Sequence, residues 1–226
     1  ALDDLFGNAA LKQTLGAQFA KSKNWHANAK ASFALWAPTA RAVSVCIYPN
    51  AYAPAVGYAQ LKRNNASGVW QSDKALAKQG SYYRFAVEVF VPGVGWVINH
   101  VNDPYAVSLS ANSLRSYVAD LNAPKLKPAG WDKHTAPHTV KHATDMVIYE
   151  LHVRDFSIND RSVPIDLRGK YLAFTQTSSQ GMRHLKDLAK AGMTDLHLLP
   201  VFDLATVPEK NCESDARSAK TTRAND

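Results

Sequence analysis

The chain has 226 residues, 46% of them hydrophobic and 20% charged, the balance of a soluble globular protein with room for one large domain or two modest ones. No apolar run approaches the roughly 18 to 20 residues that a membrane helix needs, so no membrane span is expected. The net charge of +7 invites a nucleic-acid partner, but Lys and Arg are scattered and never form a basic block, which argues against one.

The start, Ala1-Leu2-Asp3-Asp4, has neither a basic nor an apolar stretch, so no signal peptide is read there. Residues 1–29 form a lead-in segment. Leu11, Leu15 and Phe19 fall at helical spacing, but Gly7 and Gly16 weaken that pattern, leaving a short helix or an irregular strap.

From Ser32 the texture changes. Phe33 and Leu35 alternate with Ala34 and Trp36, Pro38 makes a corner, and Val43, Val45 and Ile47 alternate with Ser44, Cys46 and Tyr48. Two half-buried strands follow from that pattern. In SYYRFAVEVFV, Tyr83, Phe85, Val87 and Val89 face one way and Tyr82, Arg84, Ala86 and Glu88 the other. Pro92-Gly93 turns the chain and GWVINHV returns as the second arm of a hairpin. An immunoglobulin-like antiparallel β-sandwich is expected over 30–107. Residues 108–144, with Pro124, Pro128, Gly130 and Pro137, read as a linker that Trp131 anchors.

The run DMVIYELHVRDF begins a different pattern. Met146 to Leu151 reads as a buried strand. Met182, Leu185, Leu188 and Ala189 fall at helical spacing, with Gly192 as the stop. Leu196 to Phe202 is a second strand. Strand, helix, strand is a βαβ unit with two parallel strands. The tail 208–226 holds no aromatic residue and its charges nearly balance, so it is expected to be disordered.

Chemistry concentrates at Glu150, His152, Arg154 and Asp155. Ligands in α/β folds sit beyond the carboxyl ends of parallel strands, so these residues are placed for a site; an Arg–carboxylate strut is the competing reading. His197 stands in an apolar run, where a histidine is more often a hydrogen-bonded core residue than a ligand. His134, His138 and His142 recur every fourth residue, but Pro137 lies between the first two and no acidic partner has fitting spacing, so no metal site is read. GxSxG, P-loop and GxGxxG motifs are absent. Cys46 lies in an alternating apolar run and Cys212 in the polar tail, which makes neither a disulfide framework nor a metal site. Trp70, Trp96, Tyr52, Tyr58 and Tyr82 lie in the β-rich half, where aromatic faces either fill the core or stack on sugar rings.

Read together, the motifs carry a resemblance. FALWAPTARAVSVCIY, GVW at 68–70, GSYYRFAVEV at 80–89 and NDPYA at 102–106 resemble the family 48 carbohydrate-binding module of glycoside hydrolase family 13 debranching enzymes. MVIYELHVRDFS, LRGKYLAFT at 167–175 and HLKDLAKAGMTDLHLLPVFDLATV resemble the first strand, connection, helix and second strand of the pullulanase and limit dextrinase barrel.

The resemblance implies that residues 145–207 are the first βαβ unit of an incomplete (β/α)₈ barrel. For the intact enzyme it implies hydrolysis of α-1,6 branch linkages in pullulan, amylopectin or limit dextrins. The catalytic carboxylates of that family, an Asp nucleophile, a Glu general acid/base and a second Asp, sit on later strands. Their motifs and the segment YNWGYDP are absent from this sequence. No catalytic residue is therefore expected here, and the chain is expected to be inactive by itself. His152, Arg154 and Asp155 become supports at the barrel rim, while Trp70 and Trp96 are the candidates for α-glucan contact. No cofactor is indicated, although the resemblance allows calcium in the intact enzyme. A monomer or an aggregation-prone chain is expected, because two parallel strands and one helix cannot cover both faces of their sheet. Bacterial relatives of this kind are often exported and plant ones plastidial. The alternatives are a non-catalytic α-glucan-binding module and an inactive truncated product.

Overall fold

A computed structural model describes residues 2–20, 26–135, 140–202 and 208–209. The chain divides into two compact units, Ala1–Asp132 with Ala205–Asp226, and Lys133–Leu204.

The first unit opens with a π-helical turn, Asp3–Gly7, that runs into α1 (Asn8–Ala10). Helix ends there, so the spacing of Leu11, Leu15 and Phe19 does not reflect one helical face. Gly16 has φ of 90° and starts strand β1 (Gly16–Phe19). Then come β2 (Lys30–Trp36), β3 (Ala42–Tyr48), β4 (Gly57–Gln60), β5 (Lys62–Arg63), β6 (Val69–Gln71) and β7 (Ala77–Lys78). The hairpin β8 (Tyr82–Val91) and β9 (Gly95–Val101) follows, and then β10 (Ser116–Tyr117).

All strand pairs in this unit are antiparallel. One sheet has the order β1-β2-β6-β5, with β7 also paired to β2; the other has the order β10-β8-β3-β4, with β9 on β8. The inward faces share one core in which Phe33, Val43, Val45, Tyr83, Phe85 and Val118 are almost wholly buried. The alternation of Tyr83, Phe85 and Val87 turns inward as its period of two requires. The sheets also draw on residues outside 30–107: β1 pairs with β2, and β10 pairs with β8 at Ser116↔Tyr83. Within 108–135, Val118 reaches the core, whereas Trp131, the expected anchor, is exposed.

In the second unit, β11 (Ile148–His152) leads into α2 (Val153–Ser157), then a 3₁₀ turn at Tyr171–Thr175, α3 (Gln180–Lys190) and β12 (Asp195–Leu199). β11 and β12 are parallel, in register from Ile148↔Asp195 to His152↔Leu199. Ser179 caps α3 by accepting from the Met182 N–H at 3.2 Å, and Gly192 (φ 112°) ends the turn that follows. The apolar run Met146–Leu151 was expected to be a buried strand. Only Leu151 is buried, because the sheet has two strands and the flanks of Ile148 and Tyr149 meet few neighbours. Of the tail 208–226, only Pro208 and Glu209 are among the described residues, and the Glu209 N–H donates to Asn112 Oδ1 at 2.7 Å. The expected disorder falls outside them.

Candidate functional site

At the end of β11 the chain turns directly from strand to helix, so strand alternation, which would put Glu150, His152 and Arg154 on one side, stops at His152. Arg154 and Asp155 belong to α2. Asp155 is flanked by Arg154 Nη1 at 3.3 Å and His152 Nδ1 at 3.9 Å, all three side chains being exposed. An exposed charge cluster of this kind contributes little stability and gathers no second carboxylate for acid–base work. Glu150 pairs in register with His197 across the two strands. His197 is exposed rather than buried in a core; both residues line an open groove of about 400 Å³ with Leu196, Leu198, Leu199 and Val201.

The loop before α3 is tied to the helix start. Asp160 Oδ2 accepts from the Gly181 N–H at 3.0 Å, and Ser162 Oγ accepts from the Gln180 N–H at 2.8 Å. Hydrogen bonding from Ser162, more than the Gly181 contact, holds the Asp160 carboxyl below its usual range.

In the sandwich, the two tryptophan candidates part company. Trp70 is 6% exposed and its indole N–H donates to the Ala37 carbonyl at 2.9 Å. It is a core residue and offers no ring face to a sugar, which corrects its candidacy. Trp96 is 48% exposed on β9. The Arg41 guanidinium lies 4.2 Å from its ring centroid, and Phe90 meets it edge-on at 5.6 Å. Arg41 is in turn paired with Glu88. Tyr52 and Tyr58 are also exposed, and Tyr58 is fixed by a hydroxyl contact with Ser44 Oγ at 2.5 Å.

Residue reasoning assigned no role to Asp103, which the structure buries to 4% exposure. It accepts from the Tyr83 hydroxyl at 2.7 Å and the Tyr105 N–H at 2.8 Å, while its own N–H donates to Ser116 Oγ at 2.9 Å. Burial pushes the Asp103 carboxyl above its ordinary range and the hydrogen bonds from Tyr83 and Tyr105 oppose it. The Asp-Pro-Tyr run that follows the hairpin is the signal that could have marked it. Among the described residues, no group of three or more His, Cys, Asp or Glu is arranged to hold a metal ion, and no helix is long and apolar enough to cross a membrane.

Comparison with known proteins assigns a lineage to these two units. The family model for carbohydrate-binding module 48 (isoamylase N-terminal domain) matches residues 14–106, which run from the turn before β1 to the Asp103–Tyr105 turn. Over 212 residues, 92% of this chain, the sequence is 44% identical to a pullulanase of Klebsiella pneumoniae. The chain belongs to the pullulanase family. A chloroplastic pullulanase of Arabidopsis thaliana is 43% identical over 79% of the chain. The solved maltotriose complex of the Klebsiella pneumoniae pullulanase PulA superimposes on 93% of the chain with a TM-score of 0.81 and 42% identity. The chain spans about a fifth of the length of these pullulanases, 19% of each of the two curated sequences and 22% of the solved chain.

Proposed function

We propose that this chain provides the carbohydrate-binding sandwich and the opening βαβ unit of the barrel of a pullulanase, an enzyme that hydrolyses α-1,6 branch linkages in pullulan, amylopectin or limit dextrins. The observation that carries this reading is the 44% identity to a pullulanase across 92% of the chain, sandwich and βαβ unit alike. In that arrangement 30–107 is the immunoglobulin-like module, 108–144 the connection and 145–207 the first strand, helix and second strand of the barrel. His152, Arg154 and Asp155 act as rim supports rather than as chemistry, consistent with their exposed mutual pairing. The 226 residues contain none of the motifs that carry the family's catalytic carboxylates, so the chain alone is inactive. Release of reducing sugar from pullulan by the purified chain, with contaminating enzyme excluded, would overturn this.

A second reading is favoured by one observation, the half-exposed Trp96 held between Arg41 and Phe90. A fixed aromatic face of this kind stacks on a sugar ring without losing rotamer freedom. On this reading the sandwich binds α-glucan without catalysis. Retardation in amylopectin gels, weakened by Trp96→Ala, supports it; unchanged mobility of the parent chain counts against it.

A further inference from the structure

The opening helix and the sandwich border an open pocket of about 410 Å³ lined by Asp3, Leu11, Gln13, Leu15, Trp36 and Tyr105, with Gly7 and Ala10 at its wall. Neither Trp96 nor any residue of β11–β12 takes part in it. A small-molecule site of ordinary kind is a concavity of roughly 300 to 1,000 Å³ with apolar and aromatic walls and a few placed polar groups. This pocket has that make-up. We propose that it is an α-glucan subsite, separate from the Trp96 surface, that holds one or two glucose rings of a short maltooligosaccharide.

Its walls are fixed by the fold. A Cβ on Gly68 (φ 67°) would stand 2.6 Å from Pro38 Cβ and 3.5 Å from Phe6 Cδ1, so this glycine lets the opening helix close onto the β2–β3 corner. The Arg63 guanidinium lies 5.9 Å from the Phe6 ring and its Nη2 donates to the Pro38 carbonyl at 2.9 Å, joining the same three parts. On the opposite side, a Cβ on Gly16 would be 3.0 Å from Tyr105 Cβ, so Tyr105 closes down on β1. Its backbone is pinned by Asp103, yet Tyr105 stays 57% exposed. The Trp36 indole N–H donates to the Ser67 carbonyl at 2.9 Å, which sets the ring's orientation.

The polar groups select the ligand class. Gln13 Oε1 accepts from the Gln71 side-chain N–H at 3.2 Å, so the amide N–H₂ is the group through which Gln13 can serve a ligand as donor. Asp3 adds an acceptor. A donor and an acceptor beside two aromatic rings match a neutral polyol with apolar ring faces. Among the described residues no cationic side chain lines the pocket, and a carboxylate repels phosphate or carboxylate ligands. The choice of α-glucan among neutral sugars rests on the function proposed above.

The test uses the whole 226-residue chain and maltotriose. The probe is the Trp36 indole N–H resonance, followed by NMR as sugar is added, with circular dichroism confirming that each variant folds. Saturable movement of this resonance is expected in the parent chain and in Trp96→Ala. Binding should weaken roughly tenfold in Tyr105→Ala, which removes an aromatic face. Ala10→Trp, which fills the pocket from its wall, should abolish it. Movement that survives both Tyr105→Ala and Ala10→Trp overturns the proposal, as does movement lost only in Trp96→Ala. A still resonance with retained retardation in amylopectin gels overturns the pocket while leaving glucan binding standing. Loss of both refutes glucan binding altogether.

Discussion

The Tyr83 hydroxyl donates to the buried Asp103 carboxylate at 2.7 Å, joining the start of β8 to the turn that follows the hairpin. The same carboxylate holds the Tyr105 N–H, and the Asp103 N–H is held by Ser116 on β10. Removing one partner leaves the others buried and unsatisfied. Tyr83→Phe is therefore expected to cost about 1 to 2 kcal/mol and Asp103→Ala about 2 to 3 kcal/mol. Urea unfolding followed by a sandwich signal checks this, with lower midpoints and an unchanged slope expected. Midpoints that stay in place would show that the network contributes no stability.

How much of this was legible in the sequence depends on what each residue's neighbours had to do. Tyr83, Phe85 and Val87 announced β8 because a strand with one buried face must alternate, and the turn at Gly93 and Gly95 set the register Phe90↔Trp96. Ser116 and Tyr117 form a strand of two residues, too short for any periodicity, and only their pairing with Tyr83 and Tyr82 reveals it. Trp70 and Trp96 are the same residue type in similar alternating runs; Trp70 pairs with buried Leu35 on the core face, whereas Trp96 pairs with exposed Phe90 on an outer face. His152 and Asp155 were visible as a cluster, but the passage from strand to helix at Val153 changed which side chains share a face. The aromatic pocket was not legible, since its walls come from residues as distant as Asp3 and Tyr105.

The two buried or bonded carboxylates should respond to acid in opposite directions. Asp103 has its folded-state value raised above the ordinary 3.8, chiefly by burial. Across the window from 3.8 up to that raised value the folded chain holds more protons than the unfolded one, so this group's contribution to stability falls as pH rises. Asp160 has its value lowered from 3.8, chiefly by its bond with Ser162. Its contribution is present above 3.8 and is lost as pH falls through the lowered value. Urea melts with residue-resolved NMR should show Asp103→Asn removing the acid-side gain at sandwich resonances. Asp160→Asn should remove an acid-side loss at the start of α3, a smaller one because Asp160 is only partly buried and solvent screens it. Slopes of the same sign at both places would contradict the assignment.

Gly181 is the second residue of α3, where alanine ordinarily favours helix by about 1 kcal/mol. Here a Cβ would lie 2.7 Å from Phe156 Cζ, and that ring is stacked on Phe174 with centroids 4.5 Å apart. The ring cannot retreat without breaking the stack. Gly181→Ala is expected to destabilise the second unit by about 1 to 2 kcal/mol net, as overpacking does. Adding Phe156→Leu should recover part of the loss, and thermal unfolding of the single and double variants decides the point. A more stable Gly181→Ala would mean the ring yields freely.

The second unit should also open more readily than the sandwich. β11 and β12 have one partner each, and Val147, Ile148, Leu199 and Val201 are exposed at or beside them. β3 and β8 lie inside a five-stranded sheet whose core side Val43, Val45, Tyr83 and Phe85 fill. Amide protection follows the free energy of the opening that exposes each bond, which is set by burial and by neighbouring strands. Hydrogen exchange at neutral pH is expected to be complete across Ile148–His152 and Asp195–Leu199 while Val43–Ile47 and Tyr83–Val87 remain protected. A partner or further chain that adds strands to either edge would slow exchange at β11–β12 first, since those bonds have the most solvent to lose. Equal protection in both sheets of the isolated monomer would show that two parallel strands and α3 form a self-sufficient unit.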